Sequence, residues 1–234
     1  TWDQIGDDLD GSTSGDYFGS SVSLNGDGTV LAVGLPYNSV ASSNAGQVKI
    51  YNYSSDTWTL IKTITPPYNS VNGVNKTISK QFGNDVILSS DGKTLAVSDI
   101  WYASNNGDKV GRVVVYRDSG SDWSSLGSEF ALQGDSGSDN LSWGISLSAN
   151  GNILAAGSHE YDTKIVNGDA NNKTNAGKVK IYQYNSGISS WDIKATLNGV
   201  EAYDKFGTAV DLSSDGLTLA VGAPFHRVSG DGAE

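Results

Sequence analysis

The amino-acid sequence predicts an all-β protein, a β-propeller of four-stranded antiparallel blades with about 63 residues per repeat. Three observations lead to this prediction. Strand-like segments recur four times along the 234 residues, each repeat carries one turn pair at the same place, and no apolar stripe persists with helical spacing. A β-sandwich is the alternative architecture, but a sandwich gives no reason for a sequence to repeat.

The first strand type begins with Phe-Gly in three repeats and with Leu-Ser in the remaining one. Its copies span residues 18–24, 82–88, 141–147 and 206–212. An Asp-Gly or Asn-Gly pair follows each copy, and these pairs recur 64, 59 and 65 residues apart. Such a pair between two alternating runs predicts a tight β-hairpin.

The second strand type follows the turn and reads Leu-Ala-Val-Gly or a close variant, at residues 31–34, 95–98, 154–157 and 219–222. The third type reads Gly-x-Val-x-x-Tyr or Gly-x-Val-x-Ile-Tyr, at residues 46–51, 111–116 and 177–182. A fourth type begins at a tryptophan, namely Trp2, Trp58, Trp123 or Trp191. We expect these four tryptophans to be packing residues of the blades, with stacking on sugars as the alternative.

The four predicted units span approximately 1–53, 54–117, 118–184 and 185–234 of a single propeller domain or propeller segment. Fifteen strands are predicted, and the sixteenth would begin where the sequence ends, at Glu234. We therefore expect a segment of a larger propeller. The alternative is a closed four-bladed propeller whose last blade is completed by another segment or chain.

The repeat resembles a known family. Phe18-Gly19 followed by Gly34-Leu35-Pro36, and Phe206-Gly207 followed by Gly222-Ala223-Pro224, resemble the FG-GAP repeats of integrin α-subunit propellers. The combined motifs also resemble repeat arrays in extracellular proteins of marine bacteria and algae. The resemblance implies a propeller displayed outside the cell and used for adhesion or ligand binding.

Composition excludes several functional classes. The chain has no Cys and no Met, so disulfides, thiolate nucleophiles and cysteine metal sites are excluded. Its formal net charge of -11 repels a phosphate backbone, so we expect no nucleic-acid partner. No apolar stretch is long enough to cross a bilayer, so we expect no membrane insertion.

Calcium is the one cofactor that the resemblance implies, because integrin-type blades carry acidic calcium loops in the first hairpin of each blade. The best-matching positions here are Asn25 and Asp27 in the first repeat and Asp211 and Asp215 in the last. Leucine replaces the final carboxylate of the loop in all four repeats. A plain Asp-Gly turn without metal is therefore the favoured interpretation, and no cofactor is expected.

Four asparagines fit the N-x-[ST] sequon, which predicts glycosylation if the protein is secreted by a eukaryote: Asn52, Asn75, Asn140 and Asn172. Asn75 and Asn172 fall in segments that read as long polar loops.

Aromatic residues that break the repeat are the candidates for a ligand-binding surface: Trp101, Tyr102, Trp143 and Tyr161. The two histidines, His159 and His226, each follow a strand of the second type and are expected at the surface. No motif of a known catalytic class is present.

These observations predict a non-enzymatic extracellular propeller that acts as a structural or adhesive module. Its expected partners are other extracellular proteins or further propeller blades. A glycan-binding lectin is the alternative, and a hydrolase using a central channel is the less favoured third hypothesis.

Overall fold

A computed structural model describes residues 1–67, 69–71, 74–76, 80–103, 109–127, 132–135, 139–162 and 173–227. The described structure is built of β-strands joined by turns. Three four-stranded antiparallel sheets and two two-stranded sheets are formed by the described residues. The predicted four-stranded antiparallel sheets are thereby confirmed.

Each four-stranded sheet is a meander in which consecutive strands pair. Sheet 1 contains β1 (Ser21–Leu24), β2 (Val30–Leu35), β3 (Gln47–Ser54) and β4 (Thr57–Ile64). Sheet 2 contains β7 (Phe82–Leu88), β8 (Thr94–Asp99), β9 (Arg112–Asp118) and β10 (Trp123–Ser125). Sheet 3 contains β11 (Ile145–Leu147), β12 (Ile153–Ser158), β13 (Lys178–Asn185) and β14 (Ser190–Asn198). Pair 4 contains β15 (Val210–Leu212) and β16 (Leu219–Val221).

The Asp-Gly and Asn-Gly pairs form the predicted hairpins between the first two strands of each sheet. Their glycines have positive φ in all four repeats, at Gly28, Gly92, Gly151 and Gly216. The preceding side chain caps the turn. Asp91 Oδ1, for example, accepts hydrogen bonds from the Ser89 hydroxyl at 2.6 Å and from the Lys93 amide at 2.9 Å.

The tryptophan strand closes the sheet of the repeat before it. β4, β10 and β14 each pair with the preceding strand of the third type, so the predicted boundaries after residues 53, 117 and 184 fall inside β3, β9 and β13. The prediction was wrong in phase because a periodic sequence gives the length of a unit but not its starting point.

Two further expectations need correction. Trp2 lies outside any strand and is fully exposed, so the predicted strand and the packing role at that position are wrong. The segment around Asn75, which reads as a polar loop, contains two short antiparallel strands, β5 (Asn69–Val71) and β6 (Val74–Lys76).

The core lies between consecutive sheets. Side chains of sheet 1 such as Val48 and Ile50 pack against Val86 and Leu95 of sheet 2, and similar apolar clusters join sheet 2 to sheet 3 and sheet 3 to pair 4. Because sheets stack face to face in chain order, they are arranged like blades of a propeller.

Short polar side chains also join the first strand of one sheet to the first strand of the next. The Ser21 hydroxyl accepts a hydrogen bond from the Val86 amide at 3.0 Å, and the Ser23 hydroxyl accepts one from the Leu88 amide at 3.0 Å. Asp85 accepts the Ile145 amide, and the Ser146 hydroxyl accepts the Leu212 amide at 2.9 Å. The same connection is thus made at all three contacts between sheets.

We expect Ser23→Ala to lower the free energy of unfolding by about 1 to 2 kcal/mol, because the Leu88 amide loses its partner at a buried position. Chemical denaturation would measure the change. Ser20→Ala is the matched control, since Ser20 is exposed and lies in the same segment. Equal stabilities of the two variants would contradict a structural role for the Ser23 hydroxyl.

Candidate functional site

The two signature motifs of each repeat meet at the end of the sheet opposite the Asp-Gly hairpins. Gly19 donates its amide to the Gly34 carbonyl at 3.1 Å, and Gly207 does the same to Gly222 at 3.0 Å. We call each meeting point a junction: the residues around the Phe-Gly motif together with those around the Gly-x-Pro motif.

The junctions are crowded because consecutive sheets approach closely there. A Cβ atom at Gly34 would lie 2.0 Å from the Gly83 carbonyl oxygen of the next repeat, and one at Gly157 would lie 1.9 Å from the Gly207 oxygen. Only glycine permits this separation, so the motif glycines set the spacing of the sheets.

Each junction presents one pair of side chains that face each other, and the two partners are always 20 residues apart. The first member precedes the Phe-Gly motif or its equivalent, and the second follows the Gly-x-Pro motif or its equivalent. We call them facing pairs: Tyr17 with Tyr37, Gln81 with Trp101, Asn140 with Glu160, and Lys205 with Phe225.

The chemistry of the contact differs in every repeat. The two tyrosine rings lie 4.7 Å apart between centroids, and Gln81 accepts the Trp101 indole N–H at 3.0 Å. Asn140 donates its side-chain amide to the Glu160 carboxylate. In the fourth pair, the Lys205 ammonium lies 5.3 Å from the Phe225 ring centroid.

The first member of each facing pair has the same unusual backbone conformation. The φ angles of Tyr17, Gln81, Asn140 and Lys205 are 58°, 63°, 45° and 53°. Residues other than glycine rarely adopt this left-handed backbone conformation without a structural reason. A constant backbone therefore presents variable side chains at one end of the sheets, which is the arrangement expected of a recognition surface.

The fourth facing pair borders a cavity of about 720 Å³. The wall of the cavity comes from residues 201–205 and from Phe225 and Arg227. Phe225 is 59% exposed and Tyr203 is 60% exposed, so aromatic surface is available beside two cationic side chains. His226 contacts Asp204, one of the residues that line the cavity, at 2.9 Å and is about half exposed.

The third junction departs most from the others. Ser142 replaces the motif glycine and has a φ of 83°, while Ser158 and His159 occupy the positions of Ala223 and Pro224 in the fourth repeat. The junction is nevertheless closed in the usual way, because the Ser142 amide donates to Gly157 at 2.9 Å.

His159 is 5% exposed, so its predicted surface position is wrong. Its ring packs on Trp143 with 4.6 Å between centroids, and its Nε2 lies 3.6 Å from the Glu160 carboxylate. Burial lowers the pKa of His159; the Lys205 charge adds to this effect and the Glu160 charge opposes it. The imidazole is therefore neutral near pH 7.

A group of charged residues lies next to the third junction. Lys178 and Lys180 are both buried and share the Asp135 carboxylate, while Lys178 also lies 3.8 Å from Asp139. The Lys178 ammonium stands 3.4 Å from the centroid of the Tyr161 ring. Burial lowers the pKa of Lys178, and burial also raises the pKa of Tyr161.

Burial works to raise the pKa of Asp135, but the hydrogen bonds from Lys178 and Lys180 outweigh it and the pKa is lowered. Because the pKa is lower in the folded state, ionised Asp135 stabilises the fold above pH 4, and this contribution disappears as the pH falls below that value. We expect Asp135→Asn to lower the free energy of unfolding at pH 7 by about 1 to 2 kcal/mol, since the carboxylate is half exposed.

The check is chemical denaturation of the wild type and of Asp135→Asn at pH 7 and at pH 3. The difference in their free energies of unfolding should be smaller at pH 3 than at pH 7. Asp10→Asn, at an exposed position, is the control and should change stability at neither pH. A difference that stays constant with pH would contradict the proposed ion pairs.

The predicted aromatic candidates have separate fates. Trp101 joins the second facing pair, with the Lys109 ammonium 4.6 Å from its ring, and Trp143 is 41% exposed at the third junction. Tyr161 contacts Lys178. Tyr102 is only 1% exposed because it packs on the Arg112 guanidinium, so its predicted place on a binding surface is wrong.

The candidate calcium positions are used as turn caps. Asn25 Oδ1 accepts the Thr29 and Val30 amides at 2.9 Å, and the Asp27 carboxylate accepts the Thr29 hydroxyl at 2.6 Å. Hydrogen bonds from Thr29 lower the pKa of Asp27.

In the fourth hairpin, Asp215 accepts the Ser213 hydroxyl at 2.6 Å, while Asp211 accepts Ser146 of the preceding sheet at 3.4 Å. Within the part of the chain that the structure describes, no three His, Cys, Asp or Glu residues come together as a metal site. Three of the four candidate positions, Asn25, Asp27 and Asp215, are thus engaged in hydrogen bonds within their own turns.

The predicted glycosylation sites differ in exposure. Asn52 lies in β3 and is partly exposed, whereas Asn140 is 6% exposed and its side-chain nitrogen donates to Glu160, so the folded structure does not accommodate a glycan on Asn140. Asn75 lies in β6 rather than in the expected loop, and Asn172 lies outside the described residues.

The comparisons with known proteins agree with this fold. The family model of the FG-GAP repeat matches residues 9–51, so the chain contains an FG-GAP-like repeat and the predicted resemblance is confirmed there. Such a repeat, in a structure of blade-like sheets, indicates a β-propeller module of the kind used in protein interaction. None of the curated proteins matches the sequence.

Among solved structures, hydrazine synthase of Kuenenia stuttgartiensis is similar with a TM-score of 0.52 and 14% identity, over 86% of this chain and 54% of that one. This chain thus spans about half the length of that relative. A putative 6-phosphogluconolactonase from Bacteroides uniformis matches with a TM-score of 0.47 and 13% identity, over 86% of this chain and 42% of that one. The likeness to hydrazine synthase, at 14% identity, concerns the fold alone. Among the described residues, no helix has the length and apolar character needed to cross a bilayer.

Proposed function

We propose that the chain is a non-enzymatic β-propeller module, displayed outside the cell, that acts structurally or adhesively by binding other extracellular proteins through its facing pairs. The observation that carries this proposal is the constancy of the backbone at the four pairs combined with the variety of their side chains. Variable contacts on a rigid frame favour recognition, because they change specificity without changing the fold. The FG-GAP repeat supports the extracellular location.

The test is a binding screen of the purified chain on an array of extracellular protein domains. Tyr17→Ala and Trp101→Ala remove one side chain from each of two facing pairs, so partners bound by the wild type should be lost or weakened at least about tenfold. The control is Asp91→Asn, in a hairpin at the opposite end of sheet 2. Binding that survives both facing-pair variants but not the control would contradict the proposed surface.

The absence of enzymatic activity is tested separately. We expect no turnover of ester and glycoside reporter substrates by the purified chain. Turnover that is abolished by His159→Ala would overturn the non-enzymatic assignment and favour the hydrolase hypothesis.

We also propose that further blades of the same type are partners of sheet 1. Val22 and Leu24 are 61% and 54% exposed, while the equivalent Val86 and Leu88 of sheet 2 are 3% and 6% exposed because sheet 1 covers them. A sheet that supplies serine or aspartate at the positions of Ser21 and Ser23 would complete the same contact.

A lectin is the second candidate function. Trp143 supports it, because this ring is 41% exposed beside the Asn140–Glu160 pair, and an aromatic face next to amide and carboxylate groups can bind a sugar. A glycan array with and without calcium tests this proposal. Lack of binding under both conditions would remove it.

A further inference from the structure

Four polar atoms of the third junction are buried without a hydrogen-bond partner among the described residues. They are Oδ1 of Asn140, the hydroxyls of Ser142 and Ser158, and Nδ1 of His159. The segments 140–143 and 157–160 that carry them are held together by the amides of Ser142 and Trp143, which both donate to Gly157. An unpaired buried polar group costs about 1 to 3 kcal/mol, so a group of four at one junction indicates a ligand that pairs with several of them.

The unpaired atoms call for a ligand that donates hydrogen bonds. The amide nitrogen of Asn140 donates to Glu160, so the unpaired atom of this side chain is the carbonyl oxygen Oδ1, which can only accept hydrogen bonds. The Glu160 carboxylate lies on the Nε2 side of His159 and favours a proton there, which leaves Nδ1 as an acceptor. The two serine hydroxyls can accept as well.

The boundary of this group favours a positive charge on the ligand. Glu160 has a partly exposed side chain, at 38%, and carries a negative charge next to Asn140 and His159. Trp143 forms the other exposed wall, and an indole face attracts cations. The charge of Lys205 helps to lower the pKa of His159, but the Lys205 ammonium lies over the Phe225 ring, 5.3 Å from its centroid.

We propose that the third junction binds a primary alkylammonium group, such as the end of a lysine side chain on a partner protein. The ammonium has three N–H donors, so it pairs with up to three of the four unpaired acceptor atoms, and the nearby Glu160 carboxylate balances its charge. The net charge of -11 attracts such a partner over long distances. This inference rests on the proposed protein-binding function and adds the chemistry that one junction recognises.

Isothermal titration calorimetry with n-butylammonium chloride at constant ionic strength tests the proposal, with N-butylacetamide as the uncharged probe of similar shape. We expect saturable binding of the ammonium and at least about tenfold weaker binding of the amide. The triple variant Ser142→Gly, Ser158→Ala and His159→Pro should lose the binding. It introduces only residues that other repeats hold at these positions, so the fold is retained, and thermal unfolding verifies this.

Glu160→Gln should weaken n-butylammonium binding at least about tenfold, whereas Glu201→Gln, on the rim of the fourth junction, should leave it unchanged. Absence of saturable binding, meaning that enclosed water alone pairs these atoms, would overturn the proposal. Equal binding of N-butylacetamide would overturn it too, as would displacement of the ammonium by equimolar calcium. The calorimetry uses a small probe and the array uses protein partners, so the two experiments can fail separately. Loss of n-butylammonium binding would overturn this inference and leave the proposed protein-binding function to be decided by the array.

Discussion

Replacing Asp99 with alanine is expected to lower the free energy of unfolding by about 3 to 5 kcal/mol, the largest loss that we predict for a single side chain. Asp99 ends β8 and is 0% exposed, and its carboxylate accepts the Arg112 Nε–H at 3.0 Å. Arg112 is 1% exposed and stacks on Tyr102, with 4.0 Å from its central carbon to the ring centroid. Removing the aspartate takes a counter-ion away from a buried guanidinium, which is costly in a low-dielectric interior.

The first repeat supplies a control for this prediction. Leu35 and Gln47 occupy the positions of Asp99 and Arg112 in sheet 1, and they are paired in the same register. We therefore expect the double variant Asp99→Leu, Arg112→Gln to regain most of the stability that Asp99→Ala loses, because the guanidinium is removed together with its Asp99 partner. Chemical denaturation measures both. If the double variant is as unstable as the single one, the loss arises from packing and not from the lost Asp99–Arg112 ion pair.

The hairpins could be predicted from sequence because their cause is local. The turn needs only the backbone of the Asp-Gly pair and the side chain of its aspartate, as the hydrogen bonds that Asp91 accepts from Ser89 and Lys93 show. The grouping of strands could not be predicted in the same way. β4 pairs with β3 and not with the following strand. In a repeated sequence the tryptophan strand has similar strands before and after it, so the sequence alone does not show which of the two it pairs with.

The facing pairs are the part of the candidate site that sequence reasoning missed. Trp101 breaks the repeat and is therefore a candidate from sequence, whereas a glutamine before Phe-Gly, such as its partner Gln81, has no distinctive signal. Aligning the residue before each Phe-Gly motif with the residue after each Gly-x-Pro motif would have found the constant separation. The burial of Tyr102 and His159 was beyond such an alignment, because it depends on Arg112 and Trp143, which lie elsewhere in their repeats.

Ser142→Gly is expected to raise the free energy of unfolding by about 1 to 2 kcal/mol, an uncommon direction for a substitution at a buried position. Ser142 is 0% exposed, its φ is 83°, and its hydroxyl has no partner among the described residues. Glycine adopts this backbone without strain and removes the unpaired hydroxyl. The greater freedom of glycine in the unfolded chain offsets part of the gain.

The reciprocal substitution completes the argument. Gly83 holds the equivalent position in the second repeat with a φ of 85°, and a Cβ there would lie 2.7 Å from the Gln47 carbonyl oxygen. Gly83→Ser should therefore destabilise the chain, while Ser142→Gly stabilises it, as measured by thermal and chemical unfolding. If Ser142→Gly also weakens n-butylammonium binding, the third junction has kept a strained and unpaired serine for recognition at the expense of stability. A destabilised Ser142→Gly variant would show instead that the serine supports the fold.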